Sequence, residues 1–289
     1  MSKHLFILGV QKCGTTSLAS LLATHPDIFL PSVKETYFFC DDDKYEKGEK
    51  WYHDEFYAQR NERILVDATP FYLASQKALD RVLNFADVNT RYIILLRDPV
   101  HRAYSAYWHQ VRLGNEELTF EEALAAEDKR INEAHARNTR WWRHAYTKVG
   151  MYAEQLSYLF ESVDTSCVLV LEQNQLNDSE FLVGALPSFL GVENRYNFTA
   201  REKNVSSMPR SRTIQKMVKG KSPLKSLVQK LVPREFRSAV GRKILEGTSK
   251  EFKYPMMKEE TKHGLRERFN ENNRQLIDMG YTFAEKWTR

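Results

Sequence analysis

The stretch Leu5–Leu22, LFILGVQKCGTTSLASLL, limits the fold of this chain more than any other feature. An apolar run, Leu5–Val10, leads into a loop bounded by Gly9 and Gly14, and a helix-like pattern follows. A strand, loop and helix in this order aim several backbone N–H groups and the positive end of a helix dipole at one small volume. The stretch therefore predicts a phosphate-binding loop at the start of the first helix.

The lysine of this loop lies at an unusual position. Gly9 and Gly14 match the outer glycines of G-x-x-x-x-G-K-[ST], but Thr15 follows Gly14, and the nearby lysine is Lys12, inside the loop. In nucleoside triphosphatases the lysine after the second glycine reaches the β- and γ-phosphates. The sequence thus predicts a phosphate loop that lacks the usual triphosphatase lysine.

Size and cysteine content indicate one domain in a reducing compartment. A chain of 289 residues with 42% apolar content can bury one substantial core. We expect a single domain over residues 1–289. The three cysteines, Cys13, Cys40 and Cys167, have no metal-ligand spacing, and no signal-peptide pattern is present, so we expect a cytoplasmic protein without a metal site. No stretch approaches the roughly 20 apolar residues that span a bilayer.

Positive charge is concentrated in residues 201–253. This segment has fifteen Lys/Arg against four Asp/Glu, a net +11, whereas the rest of the chain has 28 against 34, a net −6. Such a field suits a polyanionic or multiply phosphorylated ligand, an acidic membrane or nucleic acid, and we predict a basic helical lid. A solvated helical face is the alternative. Within it, residues 221–243 contain an apolar stripe beside lysines, which predicts either peripheral contact with an anionic membrane or docking on the domain.

The rest of the chain alternates apolar runs with helix-like segments, which indicates an α/β fold. We predict a single P-loop-like domain with a central parallel sheet flanked by helices. The predicted strands are Leu5–Val10, Ile64–Asp67, Arg91–Leu96 and Cys167–Leu171. The predicted helices are Thr16–Thr24, Ser75–Asn84, Pro99–Leu113, Thr119–Arg137, Met151–Phe160, Glu180–Leu190 and Glu259–Met279.

A second anion-binding unit is Tyr92–His109, YIILLRDPVHRAYSAYWH. Its strand delivers Arg97, and Asp98-Pro99 then opens a helix that carries Ser105. In open α/β sheets, ligands lie beyond the carboxyl ends of the strands, so Arg97 is expected at the same edge as the phosphate loop. Two anion sites at one edge suggest a ligand with two phosphate-like groups. The alternative is an ion pair between Arg97 and Asp98 or another carboxylate.

Two shorter units complete the set. In Pro31–Phe39, PSVKETYFF, Lys34 and Glu35 precede an aromatic run. A carboxylate against aromatic surface can have a raised pKa and act as a general base, although an exposed Lys-Glu pair is the common case. In Thr248–Pro255, TSKEFKYP, Lys250 and Lys253 close the basic segment, and a solvated turn is the alternative.

Together, these four units resemble the sulfotransferases that use 3′-phosphoadenosine-5′-phosphosulfate (PAPS). The resemblance is strongest to the heparan sulfate N- and 3-O-sulfotransferase branch and its bacterial relatives, and it covers nearly the whole chain. Further agreement lies in Lys47–Phe56, Asp67–Leu73, Val149–Leu159, Phe189–Val192 and Ser249–Pro255.

The resemblance implies a role for each matching residue. Glu35 would be the base that takes a proton from an acceptor hydroxyl or amine, and Lys12 would stabilise the leaving phosphate, without a metal. The product left from PAPS would be 3′-phosphoadenosine-5′-phosphate (PAP). The residues implied in donor binding are Lys12, Cys13, Gly14, Thr15 and Thr16 for the 5′-phosphosulfate, Arg97 and Ser105 for the 3′-phosphate, and Lys250 and Lys253 from a closing segment.

The chain also departs from the family pattern. Ala68 stands where the heparan enzymes usually have a lysine, and Glu251-Phe252 stands where the family often has Gly-Arg. The first difference implies altered acceptor handling, and the second suggests Lys253 as the replacement for the second cationic contact. The missing membrane anchor of Golgi relatives favours a bacterial-type cytoplasmic enzyme whose acceptor is a metabolite, a glycolipid or a saccharide precursor.

Four further residues are candidates for acceptor binding. Trp141 and Trp142 lie between arginines and could stack on a sugar, although core packing is the more common role of such a pair. Lys34 lies beside Glu35. His109 shares a helical face with Ser105, and we rank it below Glu35 as a base.

Two other protein classes fit parts of the pattern. A P-loop kinase that uses ATP and magnesium would share the loop and the lid, with Asp67 after an apolar run as its magnesium ligand. A non-enzymatic protein that binds nucleic acid or membrane would need residues 201–253 but not the phosphate loop. We expect no nucleic acid partner.

Overall fold

A central sheet of five parallel strands organises the molecule, which is known here from a computed structural model describing residues 2–193, 207–209, 249–251 and 254–288. The strand order is β2-β3-β1-β4-β5. The strands are β1 Lys3–Gly9, β2 Ile28–Phe29, β3 Ile64–Asp67, β4 Arg91–Leu96 and β5 Val168–Glu172. This sheet confirms the predicted α/β fold. Its inner strands read as continuous apolar runs because helices cover both faces.

Strand register brings the predicted site elements to one edge of the sheet. Leu5 pairs with Val66 and Ile7 with Ile93, so β1, β3 and β4 all run in the same direction. The phosphate loop, Asp67 and Arg97 lie at the carboxyl ends of these strands, at neighbouring positions. In parallel sheets this edge is the usual place for a ligand.

The helices and strands of the domain largely follow the predicted segments, with three differences. The prediction missed the two-residue strand β2 and the helices α2 and α3, and it joined α6 and α7 into one. The joint at Ala126 has ordinary right-handed backbone angles and neither glycine nor proline, so the sequence contains no stop signal there. The helices are α1 Thr15–Leu22, α2 Asp42–Tyr45, α3 Gly48–Phe56, α4 Gln76–Phe85, α5 Pro99–Leu113, α6 Phe120–Ala125, α7 Glu127–Ala136, α8 Tyr152–Ser162, α9 Ser179–Leu190 and α10 Glu259–Asp278.

Two apolar clusters hold these layers together. The larger surrounds the sheet and includes Phe6, Phe38 and Tyr52, all fully buried. The smaller joins α5, α6 and α10 through Phe120 and Phe269. Helix α10 also packs on α8, since Asn272 of α10 accepts a hydrogen bond from the backbone N–H of Ala153 in α8 at 2.9 Å. Helix α10 therefore fixes the far side of α5.

Most of the predicted basic lid, including residues 221–243 and Lys253, lies outside the described residues. Its two described pieces are strands rather than helices: β6 Ser207–Pro209 pairs antiparallel with β7 Ser249–Glu251, with Met208 opposite Lys250. The chain is described again from Tyr254, whose ring stacks on Trp108 of α5 with centroids 5.8 Å apart. The Tyr104 hydroxyl donates to the Pro255 carbonyl at 2.9 Å, so this part of the chain packs on the helix that carries Ser105.

Within the described ranges, no helix has the length and apolar content needed to cross a membrane. Cys13, Cys40 and Cys167 are all free thiols, as expected for a chain without disulfides.

Candidate active site

The phosphate loop is a tight turn between β1 and α1. The Cys13 N–H donates to the Val10 carbonyl at 3.1 Å, and both Lys12 and Gly14 have positive φ angles, 72° and 99°. A Cβ at Gly14 would lie 2.7 Å from Cδ1 of Leu176. Glycine is therefore required at position 14 both by the backbone angle and by the packing beneath the loop.

The first turn of α1 is open to a ligand. Its N-cap residue is Gly14, and no side chain caps the helix, in contrast to α5, where the Asp98 carboxylate accepts from the Val100 N–H at 2.9 Å. Uncapped N–H groups at a helix N-terminus bind anions. Thr15 is buried there, whereas Thr16 is exposed.

Lys12 lies among other charged groups. Burial and the guanidinium groups of Arg112 and Arg97 lower the pKa of Lys12 to about 8, while the carboxylate of Glu35 acts in the opposite direction. Three cations and one carboxylate thus influence one another at the loop. This excess of positive charge over a partly desolvated volume is what a multiply charged anion requires.

Arg97 binds the loop backbone and is not paired with Asp98. Its Nη1 donates to the Lys12 carbonyl at 3.3 Å. Asp98 instead contacts Arg266 at 2.6 Å and His101 at 3.0 Å. The alternative interpretation of Arg97 as the ion-pair partner of Asp98 is therefore wrong. Arg97 instead contacts the phosphate loop, as its position at the end of β4 predicts.

One face of α5 extends the cationic region. Ser105 is buried on this face, and His109 and Arg112 follow at helical spacing, with Arg112 Nη2 lying 3.0 Å from His109 Nδ1. Sequence reasoning missed Arg112. The available signal was its position seven residues after Ser105, which places both on one side of the helix.

Glu35 is held by two neighbours. Its Oε1 lies 3.2 Å from Lys34 Nζ, and the Tyr37 hydroxyl donates to its Oε2 at 2.5 Å. Lys34 Nζ also donates to Thr16 Oγ1 at 3.0 Å, which connects the candidate base to the start of α1. The carboxylate is therefore paired with an ammonium and a phenol, rather than set alone against aromatic surface, and sequence reasoning missed the role of Tyr37.

Tyr37 is fixed in place by its surroundings. Its ring stacks on Trp142 with centroids 6.3 Å apart, and the guanidinium of Arg140 lies 4.6 Å from the ring centroid. Burial raises the pKa of the Tyr37 phenol, and the nearby Glu35 carboxylate adds to this shift. The phenol is thus a persistent hydrogen-bond donor to Glu35.

A buried carboxylate anchors the segment that carries Glu35. Asp67, at the end of β3, is fully buried and accepts hydrogen bonds from Thr36 Oγ1 at 2.6 Å and Thr69 Oγ1 at 2.7 Å. The hydroxyls of Tyr52 and Tyr72 also donate to it, each at 3.0 Å. Four hydroxyl donors occupy its oxygens, so Asp67 fixes the backbone on which Glu35 lies.

A cleft of about 750 Å³ opens beside Tyr37. Trp141 and Trp142 both contribute to its lining. Trp142 is 8% exposed and stacks on Phe71 as well as Tyr37, so it is mainly a packing residue, whereas Trp141 is partly exposed. The lining of this cleft does not include Lys12, Glu35, Arg97 or Ser105.

Three predicted residues contribute differently from their neighbours. Burial raises the pKa of the Cys13 thiol to about 11, and the backbone N–H of Cys13 already donates to the Val10 carbonyl. Lys250 lies on β7 and Lys253 falls outside the described residues. Among the residues that the structure describes, no group of three or more His, Cys, Asp or Glu side chains is arranged to hold a metal ion.

Known proteins share both the sequence pattern and the fold. Human heparan sulfate glucosamine 3-O-sulfotransferase 3B1 is 29% identical over 65% of this chain and 45% of its own length. Mouse bifunctional heparan sulfate N-deacetylase/N-sulfotransferase 4 is 30% identical over 67% of this chain and 23% of its own length. The chain thus spans less than half the length of these curated relatives.

A solved bacterial structure has a similar fold and a similar sequence. The sulfotransferase from Alicyclobacillus acidocaldarius superposes with a TM-score of 0.59 at 29% identity, covering 71% of this chain and 87% of that one. The family model described as the sulfotransferase domain matches residues 2–276. The chain therefore belongs to the sulfotransferase domain family.

Proposed function

We propose that this protein transfers the sulfuryl group of PAPS to a hydroxyl or amine of a saccharide, glycolipid or small-metabolite acceptor. The observation that carries the proposal is the contact of Lys34 Nζ with both Thr16 Oγ1 and Glu35 Oε1, at 3.0 and 3.2 Å. It joins an open, cation-rich phosphate loop to a carboxylate that can accept a proton. A sulfuryl transfer needs these two functions next to each other.

The donor would bind along the edge of the sheet. Lys12 and the open N-terminus of α1, from Gly14 to Thr16, would hold the 5′-phosphosulfate, and Arg97 and Ser105 the 3′-phosphate, with Arg112 adding a third cation. When bound, PAPS supplies the sulfuryl group, whose bond to the 5′-phosphate oxygen breaks as a bond to the acceptor oxygen or nitrogen forms. Lys12 stabilises the negative charge left on that phosphate.

Glu35 would receive the proton of the acceptor. Tyr37 holds Oε2 by its hydrogen bond, and Lys34 holds Oε1, so the carboxylate has one fixed orientation. Proton transfer by a positioned carboxylate contributes about 10²- to 10⁴-fold to a rate.

The names of the relatives support a saccharide acceptor, since both refer to heparan sulfate. We extend that acceptor class to this chain as part of the proposal. The proposal treats residues 1–289 as one cytoplasmic domain in which the basic segment 201–253, with Lys250 and Lys253, closes over the nucleotide.

The kinase alternative conflicts with the contacts of Asp67. A magnesium ligand must present free carboxylate oxygens to the metal, but four hydroxyls donate to Asp67, and it is fully buried. A thermal-shift assay with PAP or with ATP and magnesium separates the two functions. We expect stabilisation by PAP, and stabilisation by ATP–magnesium alone would contradict the proposal.

A non-enzymatic role of the basic segment is tested by the variant Lys12→Met. We expect it to lose PAP binding and transfer while its melting temperature stays close to that of the wild type. Lys50→Met is the matched control because Lys50 is exposed on α3. Unchanged PAP binding by Lys12→Met would contradict the assigned role of the loop.

A further inference from the structure

The cleft beside Tyr37 is lined by none of the proposed donor-binding residues, although it begins next to the candidate base. Tyr37 lines the cleft with its ring, and its hydroxyl contacts Glu35 Oε2 at 2.5 Å. An acceptor whose reacting hydroxyl reaches Glu35 would therefore extend into this space. A volume of about 750 Å³ is large enough for more than one ring of a small ligand.

The charged groups of the cleft largely compensate one another. Asp42 accepts from Lys77 Nζ at 2.9 Å and from Asn138 Nδ2 at 3.0 Å, and Asp41 lies 4.0 Å from Arg140 Nη2. Asp43 and Arg143, which also line the cleft, are exposed. A polyanionic ligand would meet the carboxylates of Asp41, Asp42 and Asp43, and a polycation would meet four cationic side chains, Lys77, Arg140, Arg143 and Lys148.

The same set of groups suits a ligand rich in hydroxyls. Each hydroxyl can donate to a carboxylate and accept from a guanidinium or an amide. Carboxylate acceptors and guanidinium donors are both present at the cleft, in Asp43 and Arg143. Uncharged hydroxyls satisfy both without placing like charges together.

Aromatic rings supply an apolar surface within the cleft. Trp141 stacks on His135 with centroids 5.4 Å apart and an interplanar angle of 24°. Trp142 meets Trp141 edge to face at 6.1 Å. Ligand pockets typically combine aromatic surface with a few polar groups that fix the orientation of the ligand.

Buried carboxylates hold this part of the cleft rigid. Glu127 accepts from the backbone N–H groups of Thr147 and Lys148, both at 2.8 Å. Glu116 accepts from Arg130 Nη1 at 2.6 Å and the Tyr146 hydroxyl at 2.7 Å. The segment that follows Trp141 and Trp142 is thus fixed before a ligand arrives, which lowers the entropic cost of binding.

We propose that this cleft binds the non-reacting part of the acceptor and that this part is a neutral, polyhydroxylated ring, a sugar unit without sulfate or carboxylate groups. The inference rests on the proposed function, since it places the reacting hydroxyl at Glu35. It goes beyond that function by assigning the charge of the acceptor.

Titration calorimetry of the PAP-loaded protein tests the assignment. The probes are neutral gluco-, galacto- and manno-oligosaccharides on one side and a heparan sulfate hexasaccharide on the other. We expect at least one neutral probe to bind about tenfold tighter than the hexasaccharide. Tighter binding of the hexasaccharide, or no binding of any neutral probe, would overturn the assignment. If PAP itself fails to bind, the proposed function fails instead.

Variants of cleft residues test whether the neutral probe binds in the cleft. Trp141→Ala and Asp43→Asn should each weaken binding of the neutral probe about tenfold and leave PAP affinity unchanged, and Trp141→Phe should restore part of the loss. Asp54→Asn is the control for Asp43, because Asp54 is exposed on α3. Unchanged probe affinity in both Trp141→Ala and Asp43→Asn would place the acceptor elsewhere and contradict the proposal.

Discussion

In the proposed donor site, Lys12 is the residue whose protonation we expect to affect binding most directly. Its pKa of about 8 results from burial and from the neighbouring Arg112 and Arg97. A bound polyanion favours the charged ammonium and raises this pKa, so binding takes up a proton at a pH above about 8. PAP affinity should therefore be constant from neutral pH to about pH 8 and then fall up to about tenfold per pH unit.

Calorimetry between about pH 7 and 9.5 measures this dependence, a range in which the phosphate groups of PAP stay ionised. Lys12→Arg should bind PAP without the alkaline decline, because a guanidinium remains protonated throughout. An equally steep decline in Lys12→Arg would show that another group is responsible.

Glu35 provides the second prediction at this scale. Glu35→Gln keeps the size of the side chain but removes the proton acceptor, so kcat should fall about 10²- to 10⁴-fold. PAP affinity should change less than about threefold, because the proposed donor contacts lie on the loop and on α5. Glu55→Gln, an exposed change on α3, is the control and should keep wild-type kcat.

At the scale of elements, the phosphate loop depends on Gly14. Gly14→Ala should destabilise the fold by about 1–3 kcal/mol, since a Cβ meets Leu176 at 2.7 Å on a backbone with a φ of 99°. Urea denaturation measures the loss. The double variant with Gly14→Ala and Leu176→Ala separates the two constraints by its PAP affinity. If the backbone angle is the main constraint, Leu176→Ala should not restore the PAP affinity of Gly14→Ala. Full restoration of PAP affinity would show that the steric contact alone matters.

The segment that carries Glu35 depends on Asp67. Asp67→Asn replaces one carboxylate oxygen by an amide donor, which then faces hydroxyl donors, so we expect a loss of about 2–3 kcal/mol of unfolding free energy. Because Thr36 donates to Asp67 at 2.6 Å, kcat should fall too, while PAP affinity stays near that of the wild type. Denaturation and steady-state kinetics check both parts. Wild-type stability and kcat would contradict the anchoring role.

The sequence predicts elements that depend on local patterns, but it does not predict contacts between distant segments. The strands β1, β3, β4 and β5 were predicted because a strand buried on both faces is a continuous apolar run. The helices α2 and α3 are rich in charged residues and show no clear apolar stripe. The stacking of Tyr37 on Trp142, the effect of Arg112 on Lys12 and the hydrogen bond from Thr36 to Asp67 all join segments distant in sequence, so no local pattern encodes these contacts.

At the scale of the whole molecule, the proposal places the two substrates on different sides of Glu35. The cation-rich loop and α5 form the proposed donor side, and the cleft beside Tyr37 forms the proposed acceptor side. The chain outside residues 201–253 has a net charge of −6, so the positive potential of the donor side comes from the local arrangement of Lys12, Arg97 and Arg112.

Transfer of labelled sulfur from PAPS tests the central claim most directly. The purified protein is supplied with sulfur-labelled PAPS and neutral oligosaccharides, and the products are identified by mass spectrometry. We predict that the wild type labels an acceptor and that Lys12→Met and Glu35→Gln, both folded, lose about 10²-fold or more of this rate. Undiminished transfer by Lys12→Met, or no transfer together with no PAP binding by the wild type, would contradict it.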